Sequence, residues 1–193
     1  MALLSAALPK AYRKALLPLF AAAWLGAAFG PAVAQAQAAA PEYDVKALFL
    51  FNFTKFVEWP QAAFTDEHSP LKLCVLGENP FAKAVKVLAD EEVGGRKLTF
   101  QHLESGNSLE TCHVLFISRS ERDRLPQILA GLHNAPVLTV SEMPAFIEQG
   151  GMINFILEGS KVRFDINQEA AERAGLKISS RLLALAKHVK GKS

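Results

Sequence analysis

Two cysteines, five histidines and three short polar loops are the parts of this 193-residue chain whose residue types could do chemistry. Cys74 and Cys112 form an even pair, which an oxidising compartment would join and a reducing one would leave as buried thiols. None of His68, His102, His113, His133 and His188 stands at metal-ligand spacing to another histidine. Cys112-His113 is adjacent rather than spaced, so the pattern assigns no metal site. Asp90-Glu91-Glu92 reads as a solvated loop rather than as paired acid and base. G-x-S-x-G, Walker and G-x-G-x-x-G patterns are absent, and Gly94-Gly95 and Gly150-Gly151 read as turn residues. The chain therefore carries the signature of no enzyme class.

The polar loops gain meaning from the strands that precede them. LKLCVLG (71–77), CHVLFIS (112–118) and PVLTVSE (136–142) are short apolar runs, and they lead into Gly77-Glu78-Asn79, Ser118-Arg119-Ser120 and Ser141-Glu142. In open α/β sheets, ligands sit outside the carboxyl ends of strands, near a switch in strand order. Ser118, Arg119 and Glu142 are thus candidates for holding a small polar or anionic ligand, with Arg119 as the charge-assisted donor. The plainer alternative is that polar residues are what loops contain.

The elements that must position these loops follow from periodicity. Residues 42–58 read as a helix ended by Trp59-Pro60, and Val45, Leu48, Phe49, Asn52, Phe53, Phe56 and Val57 fall on one face of a 3.6-residue period. At about 100° per residue, Phe51 points roughly 140° from that stripe and needs separate cover. A second protein chain or the carboxyl-terminal helix of the same chain would supply it. Helical segments are also expected over 81–88, 121–132 (with a kink or late start at Pro126), 168–175 and 178–189. The last has Leu182, Leu183, Leu185, Ala186 and Val189 facing the core. KLTFQHL (97–103) is a strand with one exposed face, and 151–167 is a hairpin turning at Glu158-Gly159-Ser160. The class is α/β: an open, mainly parallel sheet flanked by helices on both faces, with an edge β-hairpin. A strand order of 2-1-3-4 would set the strands of Cys74 and Cys112 side by side.

Residues 1–34 form a segment apart. A basic start at Lys10, Arg13 and Lys14, an apolar stretch over 15–29 and Ala32-Val33-Ala34 make a secretory signal peptide cleaved near Ala34. The apolar run is shorter than the roughly 20 residues that a membrane span needs. Residues 35–41 read as a flexible connector, and 42–193 as a single domain. Subtracting the leader's three cations from the 21 Lys and Arg leaves 18 against 19 Asp and Glu. The exported chain is nearly neutral, which argues against nucleic acid as a partner. Export also makes the cysteine pair a disulfide candidate.

VKALFLFNFTKFVEWP, LKLCVLGENPF, CHVLFISRSE, VLTVSE, GGMINFILEGSKVRFDIN and AERAGLKISSRLLALAKHV, in that order and spacing, resemble the YfiR family of exported proteins over residues 44–189. The resemblance implies an α/β fold, a periplasmic repressor and a homodimer. It also implies a partner: the periplasmic part of an inner-membrane diguanylate cyclase such as YfiN, with release by an outer-membrane protein like YfiB. A sensor histidine kinase would offer an equivalent periplasmic domain. A small-molecule sensor is the second reading and a hydrolase the last. Cys74 and Cys112 match family cysteines, which adds to the case for a bridge, while a second family pair near the hairpin has no counterpart here. Phe51, Phe56 and Trp59 become partner or dimer contacts. Small aromatic ligands are implied near the end of the first helix and the start of the last, around Trp59, Lys177 and Ser179. No cofactor is implied.

Overall fold

The strand-forming runs all lie where their apolar patterns place them, and the helices differ from expectation in extent and rotation. The computed structural model describes residues 32–88 and 91–191, so the leader reading lies outside the described residues except for its last three positions. Ala39–Ser193 packs as one unit. In chain order the elements are α1 (Ala32–Phe56), β1 (Val57–Glu58), β2 (Leu71–Leu76), α2 (Val85–Leu88), β3 (Glu92–Val93) and β4 (Arg96–Leu103). They continue with β5 (Val114–Ile117), α3 (Leu125–Gly131), β6 (Leu138–Ser141), β7 (Ile153–Glu158) and β8 (Lys161–Asn167). The chain ends in α4 (Gln168–Arg173), β9 (Lys177–Ile178), α5 (Ser180–Leu185) and β10 (Val189–Lys190).

Eight strands form one sheet in the order β10-β8-β7-β6-β5-β2-β4-β3. It is parallel except at the β7–β8 hairpin and the β3–β4 pair. Its central part, β4-β2-β5-β6, is the expected 2-1-3-4 arrangement. A second, two-stranded antiparallel sheet pairs Val57 with Ile178 and Glu58 with Lys177. The hairpin turns at Gly159, whose φ of 60° is one that side-chain-bearing residues seldom adopt.

Alternation along the central strands divides the core in two. Leu71, Leu73 and Val75 of β2, with Val114 and Phe116 of β5, share a cluster with α1, α4 and α5. Cys74, Leu76, Leu115 and Ile117 point to the other face, where Leu125 and Ile128 of α3 cover them. Cys74 is bonded to Cys112, with 6.0 Å between their Cα atoms. Cys112 stands two residues before β5 rather than inside it.

Four helical expectations need correction. The buried face of α1 is Lys46, Ala47, Leu50, Phe51, Phe53, Thr54 and Val57, about a third of a turn from the stripe read in the sequence. Counting only apolar residues missed this, because a lysine and a threonine belong to the true inner face. Phe51, read as a partner or dimer contact, is 6% exposed and joins its own chain's core, with the Lys55 ammonium 4.0 Å above its ring. The last helix stops at Leu185, since Ala186 turns to an extended ψ of 147°, and residues 189–190 pair beside β8 instead. That leaves Leu185 and Val189 exposed. The segment from Phe81 forms turns before a single helical turn at α2. Pro126 acts as expected, at the start of α3 behind a 3-10 turn over Arg119–Arg124.

The bridge closes a loop with a sequence separation of 38. Replacing both cysteines with alanine should lower the unfolding free energy by about 4 kcal/mol in the chain-entropy description. Urea denaturation of the oxidised protein and the double variant measures this.

Candidate functional site

The middle of α1 brings charge into the core. Glu42 and Lys46 are four residues apart, so they lie on one side of the helix and pair. Lys46 is 1% exposed and reaches past Glu42 to the carboxylate of Glu142, which directly follows β6. Glu142 is buried and accepts from two further groups: Tyr43 Oη at 2.9 Å and Arg119 Nε at 3.0 Å. The Lys46 ammonium also lies 4.8 Å from the centroid of the Tyr43 ring. Two carboxylates and two cations thus neutralise one another at the carboxyl end of the sheet. Burial, then the negative charge of Glu142, pushes the Tyr43 hydroxyl up to about 12, which keeps it a proton donor at ordinary pH.

These are the strand ends at which a ligand was expected, and the structure brings Ser118, Arg119 and Glu142 together there. Their polar groups are largely engaged within the chain. Ser118 is buried, its amide donates to the Leu76 carbonyl at 3.0 Å, and its carbonyl accepts from Glu121 at 3.0 Å. The crevice between β2 and β5, where strand order reverses, is filled by the 118–121 turn. Ser120 Oγ accepts from the Glu78 amide at 3.0 Å, and a Cβ on Gly77 would stand 2.3 Å from that oxygen. The Arg119 side chain is 61% exposed, and it is the member of this group that meets solvent.

The far end of α1 is a different site. Phe56 and Trp59 are half-buried there. Lys177 pairs through β9 with Glu58, while Ser179 caps α5 and donates its amide to the Phe56 carbonyl at 2.9 Å. Lys177 and Ser179 therefore do not join Arg119 and Glu142. The fourteen residues separating Glu42 from Phe56 correspond to about 21 Å of helix. Beside this end lies a cleft of about 400 Å³, lined among others by Lys55, Trp59, Phe64, Glu92 and Arg96. Arg96 stacks over Phe64 at 3.8 Å and donates to the carbonyls of Asp66 and Ser69.

Between these sites, α1 presents an apolar outer surface. Val45 is 41% and Leu48 53% exposed, beside the half-buried Phe49. A groove of about 370 Å³ borders Leu48, with Ala47, Ala84 and Leu88 on its walls and Asp44 and Lys83 at its rim. Sequence reasoning put Val45 and Leu48 in the core and overlooked Tyr43 and Lys46. The Glu42–Lys46 spacing was the available signal for the latter.

Among the described residues, no three histidine, cysteine, aspartate or glutamate side chains gather as a metal-binding group, and no helix is long and apolar enough to cross a membrane. A family profile described as YfiR/HmsC-like matches residues 43–187. Among solved structures, a conserved domain protein from Vibrio cholerae O1 biovar eltor is similar at 16% identity, with a TM-score of 0.44. The match covers 62% of this chain and 54% of that one, so this chain spans about half the length of that relative.

Removing Lys46 leaves the buried carboxylate of Glu142 without one of its two cations. Lys46→Met should destabilise the fold by about 3 kcal/mol, and adding Glu142→Gln should cost much less than a second independent loss. Denaturation midpoints of the two single variants and the double variant give the coupling.

Proposed function

Because the chain belongs to the YfiR/HmsC-like family, a family of non-catalytic periplasmic regulators of cyclic-di-GMP signalling, we propose that it represses an inner-membrane diguanylate cyclase by binding the cyclase's periplasmic part. The observation that supports this reading is the outer surface of α1. A helix fastened at Lys46 and at Phe56 nevertheless leaves Val45 and Leu48 in solvent next to an apolar groove. Such a surface fits protein docking, where a few buried apolar anchors contribute most of the affinity. Asp44 and Lys83 at the groove rim would set register. In this reading Phe56 and Trp59 lie at the end of the contact, and an outer-membrane YfiB-like protein releases the cyclase by competing for it. A sensor kinase with a similar periplasmic domain is the alternative partner.

A small-molecule sensor is the second reading, and the cleft beside Trp59 favours it. Its aromatic walls and cations suit a small aromatic acid. Such a ligand alters repression only by binding one conformation better than another.

Deleting the gene should raise cyclic-di-GMP, and the wild-type chain should restore it while Leu48→Asp does not. The substitution is at an exposed site, so the melting temperature should stay within about 2 °C of wild type. Sedimentation of the same variant separates partner docking from self-association: loss of a dimer would assign the surface to a second copy. An unchanged cyclic-di-GMP level in the deletion strain would overturn the repressor reading.

A further inference from the structure

His113 is buried, and both of its ring nitrogens face backbone groups. Nδ1 accepts from the amide of Lys72, at the start of β2, at 3.1 Å. Nε2 lies 3.2 Å from the carbonyl of Ala63, in the 3-10 turn over Gln61–Ala63. An amide N–H only donates and a carbonyl only accepts, so these bonds require the neutral ring with its proton on Nε2. Phe64 stacks on the ring at 4.5 Å. Trp59 meets it edge-on at 6.3 Å and donates Nε1–H to the His113 carbonyl at 3.2 Å. One imidazole thus ties residues 59–64 to the seam between β2 and β5. Trp59 and Phe64 are also walls of the 400 Å³ cleft.

We infer that His113 is an acid-sensitive latch on that cleft: a second proton, on Nδ1, turns the acceptor of the Lys72 amide into a donor, so the ring leaves β2 and carries with it the 59–64 segment that it still holds through Nε2–H and Ala63, changing the cleft's shape. The cations around the ring disfavour the imidazolium, while the Ala63 carbonyl and the face of Phe64 favour it. β2 supplies Lys72 and β4 supplies Arg96, both cations, while Trp59 and Phe64 carry no charge. Asp66, in the loop after Phe64, is exposed and accepts from the His68 amide at 2.7 Å. Lys55 and Glu92 stand on the cleft's other walls. Arg96 also lies over the Phe64 ring, so a charge on His113 repels a group that holds the same segment.

Burial, then the charges of Lys72 and Arg96, holds the imidazolium below the ordinary histidine range, against an opposing contribution from the Ala63 carbonyl. The latch's contribution to stability is therefore complete above pH about 6.5, and it declines as pH falls from there through the lowered folded value.

Trp59 is the single tryptophan after the leader, where Trp24 lies, so its emission reports on this segment alone in the cleaved chain. Titration from pH 8 to pH 4, with emission and histidine ring resonances followed together, tests the inference. The expected result is a red shift of Trp59 with a midpoint below 6.5, tracking the His113 resonance, while far-UV dichroism stays constant. In His113→Gln, whose amide can make both backbone bonds without titrating, the step should vanish. A Trp59 signal that stays flat while His113 titrates, a His113 that stays neutral down to pH 4, or a step that survives in His113→Gln would overturn it. If His113→Gln does not fold, the wild-type resonance, identified by its contact with the Phe64 ring, decides alone.

Discussion

The placement of Lys46 governs the arrangement of this fold. An ammonium group in an apolar interior is tolerated only where carboxylates and hydrogen bonds replace its lost water. Glu142 supplies that replacement at one fixed point, the carboxyl end of β6, and Glu42 completes it. The rotation of α1 follows from this. With Lys46 turned toward Glu142, Phe51 and Leu50 turn inward, Phe53 packs against Phe155 and Phe164, and Val45 and Leu48 face outward. A hydrophobic helix face alone could slide or roll on the sheet, whereas a buried ion pair sets both register and rotation.

The same pair shows why part of the structure was legible in the sequence and part was not. Strands β2, β4, β5, β6 and the hairpin announce themselves as short apolar runs closed by glycine or polar loops, and the order of the central four agrees with the position of the disulfide. The roll of α1 was hidden because it depends on a lysine from one end of the sequence meeting a glutamate 96 residues away. No local pattern contains that information. The early end of α5 was hidden for a related reason. The run through Leu185 and Val189 suits a helix by period, but the free edge of β8 offers backbone pairing to residues 189–190 instead. For the site, the loop rule found Arg119 and Glu142 because it asks only where strands end. It gave no hint that the same loops would spend their polar groups on each other and on α1.

That internal use of polar groups bears on how the family's fold is employed here. Open parallel sheets elsewhere keep the switch-point crevice clear for ligands. In this chain Ser120 and Glu121 occupy it, and the charged groups nearby compensate one another. Among the described residues, the accessible features include apolar surface along α1 and an aromatic cleft at its far end. One helix is tied to the sheet at Lys46 and next to β9 at Phe56, so a change at the cleft and a change at the charged cluster act on a common element. Coupling between them would need that helix, or the turn after it, to hold two arrangements.

The bond between Cys74 and Cys112 encloses α2, β3 and β4, the whole margin of the sheet on that side. Proteases cut at exposed loops such as 104–111. A single nick anywhere inside this ring leaves both pieces joined through sulfur, and β4 remains beside β2. The two pieces cannot part until a reductant opens the bridge, so clipping and loss of the protein become separate events.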